Sequence, residues 1–148
     1  MRYIKYLFVM LFIAGCSSMM LQPADFSWPV ENVIKVDSQG FISEDRHTFS
    51  VNVKPLFQEE YADSNAWMGK EVRIIRDKAG YYYITSNGFK NVYSFLPSDG
   101  GLKLEDKIAV TDSLPMVSPV FNQKSPNVEL VDGSNKYYLT NNGIVRPK

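Results

Sequence analysis

The chain is predicted to fold as an all-β domain: a small sandwich or partly closed barrel of short antiparallel strands. Three observations predict this. Apolar residues recur at every second position in short runs, the period of a half-buried strand. Glycine, asparagine, aspartate and proline punctuate those runs at intervals typical of hairpins and short loops. Only one stretch, Leu56–Trp67, has the composition of a helix, and about nine strand-like runs fill the rest of the chain after residue 25. That density of short strands fits a sandwich or barrel better than layers of helix and sheet.

Taken in order, Val30–Val36 places Val30, Ile34 and Val36 on one strand face, and Asp37-Ser38-Gln39-Gly40 then has Asp first and Gly fourth, the preference of a type I turn. His47–Val53 alternates, with Phe49, Val51 and Val53 inward and Ser50 and Asn52 outward, until Pro55 stops it. In Leu56–Trp67 the segment Phe57-Gln58-Glu59-Glu60-Tyr61-Ala62 has no helix breaker, but two turns are marginal without support. Val72–Arg76, the turn Asp77–Gly80, Tyr81–Thr85, Asn87-Gly88 and Phe89–Phe95 form a meander. Asn87-Gly88 is its strongest hairpin signal, because both residues tolerate positive φ. Pro97, Gly100 and Gly101 mark a loop and Lys107–Thr111 a further strand. Leu114–Asn127 reads as a long crossing loop in which Val117–Phe121 is an edge strand.

The C-terminal part resembles the meander. Tyr82-Tyr83-Ile84-Thr85-Ser86-Asn87-Gly88-Phe89 aligns with Tyr137-Tyr138-Leu139-Thr140-Asn141-Asn142-Gly143-Ile144, fifty-five residues later. Two copies are too few for a solenoid or propeller. Strand alternation puts Tyr82 and Ile84 on one face and Tyr81, Tyr83 and Thr85 on the other. The second copy splits Tyr137 and Leu139 from Tyr138 and Thr140. Outward tyrosines on a sheet can make a flat platform, since the phenol supplies apolar area, a hydroxyl and little rotamer entropy to lose. Tyr81, Tyr83 and Tyr138 are therefore the candidate binding surface.

The N-terminus has a different character. Arg2 and Lys5 precede the apolar run Tyr6–Ile13, which is too short to span a bilayer but matches the apolar core of an export signal. Ile13-Ala14-Gly15-Cys16 then places an aliphatic and two small residues before a cysteine. This resembles the lipobox of bacterial lipoproteins. The resemblance implies cleavage before Cys16, acylation of its thiol and a membrane anchor through the attached lipid. It divides the chain into a signal peptide (1–15), a lipidated cysteine with a short tether (16–24) and a single β domain (25–148). Ser17 in place of aspartate resembles the pattern sent to the outer membrane, on its periplasmic face, rather than retained at the inner one. The eight residues Ser17–Ala24 span at most about 30 Å, so the domain is expected close to the membrane.

Composition narrows the chemistry. Basic and acidic residues number sixteen each, and two of the basic ones lie in the signal, so the mature domain is slightly acidic and nothing points to nucleic acid. Cys16 is the only cysteine, which excludes an intramolecular disulfide. His47 is the only histidine, which excludes metal sites built on several histidines. A serine triad would have to run through His47 and has no Gly-x-Ser-x-Gly elbow. Glu44-Asp45 and Glu59-Glu60, with Asp63, are paired in sequence but not at glycosidase spacing. No catalytic set, metal site or cofactor is expected. The reading is a lipid-anchored envelope module, without an assigned enzymatic role, that binds another envelope protein or a cell-wall glycan. The alternatives are a carboxylate-dependent envelope hydrolase and a structural lipoprotein that self-associates through a sheet edge.

Overall fold

The computed structural model describes residues 30–46 and 48–145. The expected signal and tether, with Cys16, and His47 lie outside the described residues. Among the described residues, eleven strands and one helix occur in chain order: β1 (Asn32–Lys35), β2 (Phe41–Glu44), β3 (Phe49–Asn52), α1 (Lys54–Tyr61), β4 (Glu71–Arg76), β5 (Tyr82–Thr85), β6 (Asn91–Ser98), β7 (Gly101–Ala109), β8 (Pro119–Lys124), β9 (Asn127–Asp132), β10 (Asn135–Thr140) and β11 (Gly143–Val145). All pairings are antiparallel. They make a five-stranded sheet in the order β1-β4-β5-β6-β7, a four-stranded sheet β11-β10-β9-β8 and the separate hairpin β2-β3. The expected all-β sandwich is observed, and no sheet closes into a barrel.

The layers follow from side-chain parity. In register, Ile74, Ile84 and Tyr93 share one face of the five-stranded sheet, and Ile75, Tyr83 and Ser94 share the other. The first face is covered by hairpin β2-β3 and by α1. Phe49 meets Tyr82 edge-on with ring centroids 5.1 Å apart, and Phe57 meets Phe89 at 4.9 Å. The second face is covered by the four-stranded sheet, whose inner side carries Phe121, Val128, Leu130 and Leu139, all buried in one cluster with the central strands. Ser94 Oγ reaches across this interface to donate to the Asn141 carbonyl at 3.1 Å.

Strand β5 therefore has all four residues buried. This corrects the expectation for Tyr83. Alternation separates it from Tyr82 as predicted, but the face it takes is covered, and Tyr83 is 1% exposed. Its hydroxyl donates to Asp77 Oδ2 at 3.0 Å, and burial, with the Asp77 charge beside it, pushes the phenol far above its ordinary range. Tyr83 is a core residue and not part of a platform.

Helix α1 starts two residues after β3 and carries Pro55 in its first turn, where a missing N–H costs no hydrogen bond. Two turns need outside help, and Glu60 supplies it. Its carboxylate accepts from the Lys90 backbone N–H at 2.8 Å, Asn91 Nδ2 at 2.7 Å and the Tyr93 hydroxyl at 2.8 Å. Lys107 Nζ and Glu59 add a surface ion pair at 2.6 Å.

Two further differences from the sequence reading have local causes. Strand β2 interleaves exposed Phe41 and Ser43 with buried Ile42 and Glu44, so a buried charge breaks the apolar alternation that marks a strand. The two Asn-Gly copies also fold differently. Thr140 pairs with Gly143 across a two-residue loop, as in a tight hairpin. The first copy turns instead through Ser86–Phe89, with Phe89 N–H donating to the Ser86 carbonyl at 3.1 Å and Gly88 at φ +88°. Phe89 is fully buried beneath α1, whereas Ile144 in the second copy is 41% exposed. Burial of one side chain thus draws the first turn inward and lengthens it.

Replacing Glu60 by alanine strands three donors and releases the helix. We expect Glu60→Ala to lower unfolding free energy by about 2 kcal/mol in urea titrations and to raise amide exchange first in α1. Unchanged exchange there would show that apolar packing alone holds the helix.

Candidate functional site

Three consecutive residues where the described chain begins are together tied to the hairpin and to both sheets. The Val30 carbonyl accepts from Arg46 Nη1 at 2.7 Å, on the hairpin. Glu31 Oε2 accepts from Arg73 Nη1 at 3.0 Å, on the five-stranded sheet, while Oε1 accepts from the Phe121 N–H at 2.9 Å, on the four-stranded sheet. Asn32 Nδ2 donates to Glu44 Oε2 at 3.0 Å, back on the hairpin. Arg73 and Glu31 are both largely buried, so their pair is better shielded from water than a surface ion pair.

Glu44 is the fixed point of these contacts. It is 1% exposed, and its carboxylate takes Nε and Nη2 of Arg46 at 2.9 and 3.0 Å, the Arg46 N–H at 3.2 Å and Asn32 Nδ2. Burial alone would push its carboxyl up. The hydrogen bonds from Arg46 and Asn32 more than reverse this and hold it at about 2, from an ordinary 4.5.

The same residues close a sheet edge. The N–H of Phe121 points away from β9 and is taken by Glu31. Two residues earlier Pro119 has no N–H to offer, and the preceding Val117 and Ser118 N–H groups are held by Asp132 Oδ1 at 3.1 and 2.8 Å. Edge strand β8 is thereby blunted against strand addition by proline and by carboxylates of the chain itself.

Of the three tyrosines expected to form a platform, the structure does not bring the set together. Tyr83 is in the core. Tyr81 is half-buried and packs against the main hydrophobic cluster. Tyr138 alone lies on the outer face of the four-stranded sheet, opposite in parity to buried Leu139, and is half-buried there. In register it sits beside Glu129 of β9, which sits beside Asn122 of β8. The row Tyr138–Glu129–Asn122 is thus a line of three side chains across three strands, spaced at about 4.8 Å per strand. Glu129 and Asn122 were not singled out from sequence. The signal that finds them is the pairing register of β8, β9 and β10, which no local pattern contains.

No group of three or more histidine, cysteine, aspartate or glutamate side chains suited to a metal ion occurs among the described residues. Comparison with protein-family models, with characterised proteins and with solved structures finds no match for this chain.

Two expectations follow. Glu31→Ala removes the acceptor shared by Arg73 and Phe121 and should lower stability by about 2–3 kcal/mol, with Phe121 among the amides whose hydrogen exchange rises most. Glu44 binds its proton less tightly folded than unfolded, so its stabilisation is complete above about pH 4.5 and is lost as pH falls towards 2. Stability measured against pH should lose part of its acid limb in Glu44→Gln. A variant that keeps the wild-type profile would remove Glu44 from this role.

Proposed function

We propose that the chain is a membrane-anchored envelope lipoprotein whose β domain serves as a binding or accessory module for another envelope component, on the periplasmic face of the outer membrane. The observation that carries this reading is the fastening of Val30, Glu31 and Asn32 to the hairpin and both sheets. A domain held by a lipid at its N-terminal end is pulled through the start of its chain, and Val30, Glu31 and Asn32 are the first described residues on that path. Here that load is shared at once among three layers rather than peeling one edge strand.

The lipobox-like Ile13-Ala14-Gly15-Cys16 supplies the anchor in this reading. Two or three acyl chains make attachment effectively permanent, whereas one is reversible. Strand β1 runs from its tether end, where Asn32 pairs with Ile74, towards Lys35 beside Glu71. The Ser86–Phe89 turn and the loop through Met116, joined by Gly88 N–H to the Met116 carbonyl at 2.8 Å, lie at the far end. Leu114 and Val117 on that loop are exposed.

Metabolic labelling with a fatty acid, followed by membrane fractionation, tests the anchor. The wild-type chain should carry label and sediment with outer membranes. Cys16→Ser should lose label, retain its signal and fail to reach that fraction. A labelled Cys16→Ser protein, or an unlabelled wild type, would overturn the reading.

A further inference from the structure

We propose that the outer face of the four-stranded sheet binds a polysaccharide chain of the cell wall, with Tyr138 as the stacking side chain and Glu129 and Asn122 as the groups that hold its hydroxyls. The inference rests on the envelope-binding reading above and names the class of component bound.

Glu129 carries the argument. It is 8% exposed although it lies on the outer face, and among the described residues the hydrogen bond to its carboxylate comes from Asn122 Nδ2 at 3.3 Å, at the long end of the range. The other strongly buried carboxylate shows what such a group normally receives. Glu44, 1% exposed, takes four donors. Glu60, only part-buried, still takes three. A buried carboxylate short of donors is costly unless something else supplies them.

The surroundings select the donor. Strand β9 is already paired on both sides, by β8 and β10, so no peptide strand can add there and a ligand must approach side chains from above. Lys136 and Lys124 share the outer face with Glu129, one on each side of its row, which leaves the patch without net negative charge and turns away a cationic partner. The row itself is polar, which does not suit an apolar helix or a lipid. Half-buried Val120 and Val131 border it on the same face. A neutral sugar chain matches each feature: hydroxyl and amide groups donate to Glu129 and Asn122, and the C–H face of a ring lies on Tyr138 and the valines. The row is about 10 Å long between its outer strands, enough for a short run of rings.

Co-sedimentation of the purified full-length lipoprotein with isolated peptidoglycan sacculi tests the proposal. Wild-type protein should pellet with sacculi and be released by soluble glycan fragments. Tyr138→Ala and Glu129→Gln should each reduce retention at least tenfold while keeping the wild-type melting temperature within a few degrees. Leu114→Ser, at the far loop, should bind as wild type. Should Tyr138→Ala unfold, Glu129→Gln decides alone, since it changes charge and not volume. Equal retention of Glu129→Gln and wild type would overturn the proposal, as would a wild type that does not pellet. A photoreactive residue at position 138 separates the two levels: a discrete protein adduct without sacculus binding sinks the glycan and leaves the binding module standing. Neither adduct nor sacculus binding removes this face from both.

Discussion

A five-stranded sheet that must be buried on both faces, in a chain whose single cysteine cannot form an internal disulfide, sets the terms for everything else in this domain. Strand β5 makes the constraint visible, with Tyr82, Tyr83, Ile84 and Thr85 all enclosed. One antiparallel sheet with a solvated face would need a single covering layer. Here the chain provides two, from segments on opposite sides of the meander in sequence. Hairpin β2-β3 and α1 come before it, and the four-stranded sheet comes after. The first cover is small and would not persist alone: a two-stranded hairpin is marginal in water and so is a two-turn helix. Their stability is borrowed from the sheet they cover, through Phe49 against Tyr82 and Phe57 against Phe89.

Polar groups then do what apolar packing cannot, which is to fix direction. An apolar replacement of a buried charge and its partner often costs little stability, but buried Glu44 and the more exposed Arg46 do more than fill space. Arg46 spends one nitrogen on the Val30 carbonyl while two of its other donors bind Glu44, so the hairpin holds the start of β1 at a defined angle. Glu60 acts likewise for α1. In both places a carboxylate collects donors from separate segments, and its removal leaves several groups unsatisfied at once.

Much of the architecture was legible because it is local. Asp37 and Asp77 form the turns their Asp-x-x-Gly patterns predict. Each Oδ1 accepts from the backbone four residues on, and Gly40 and Gly80 take positive φ. The strand split of the second tyrosine copy also holds, with Leu139 inward and Tyr138 outward. What the chain conceals is non-local. Alternation assigns Tyr83 to a face but says nothing of whether a second sheet will cover it. Glu31 meets Arg73 and Phe121 across forty-two and ninety residues, and no spacing rule connects them. Glu129, in the run Val128-Glu129-Leu130-Val131, reads as an ordinary outward charge until register places Tyr138 and Asn122 at its sides.

Closing the edges of a sheet also limits how it can interact. Along β8, Pro119 lacks a donor and Glu31 and Asp132 occupy the N–H groups around it, so association by strand addition at that edge would first have to break contacts that hold the layers together. Glu31 is common to the closed edge and to the fastening of the first described residues, so the two are one feature. That edge therefore offers little to a partner, whereas faces and loop tips are open to one. The loop tip offers exposed Leu114 and Val117, side chains without a polar group to set orientation. The outer sheet face offers an aromatic ring, a carboxylate and an amide at fixed spacing on the most rigid kind of surface a small domain has. Recognition that depends on geometry belongs on such a surface, because the strands that position Tyr138, Glu129 and Asn122 are held in place by the same core that buries Leu130 and Leu139 directly beneath them.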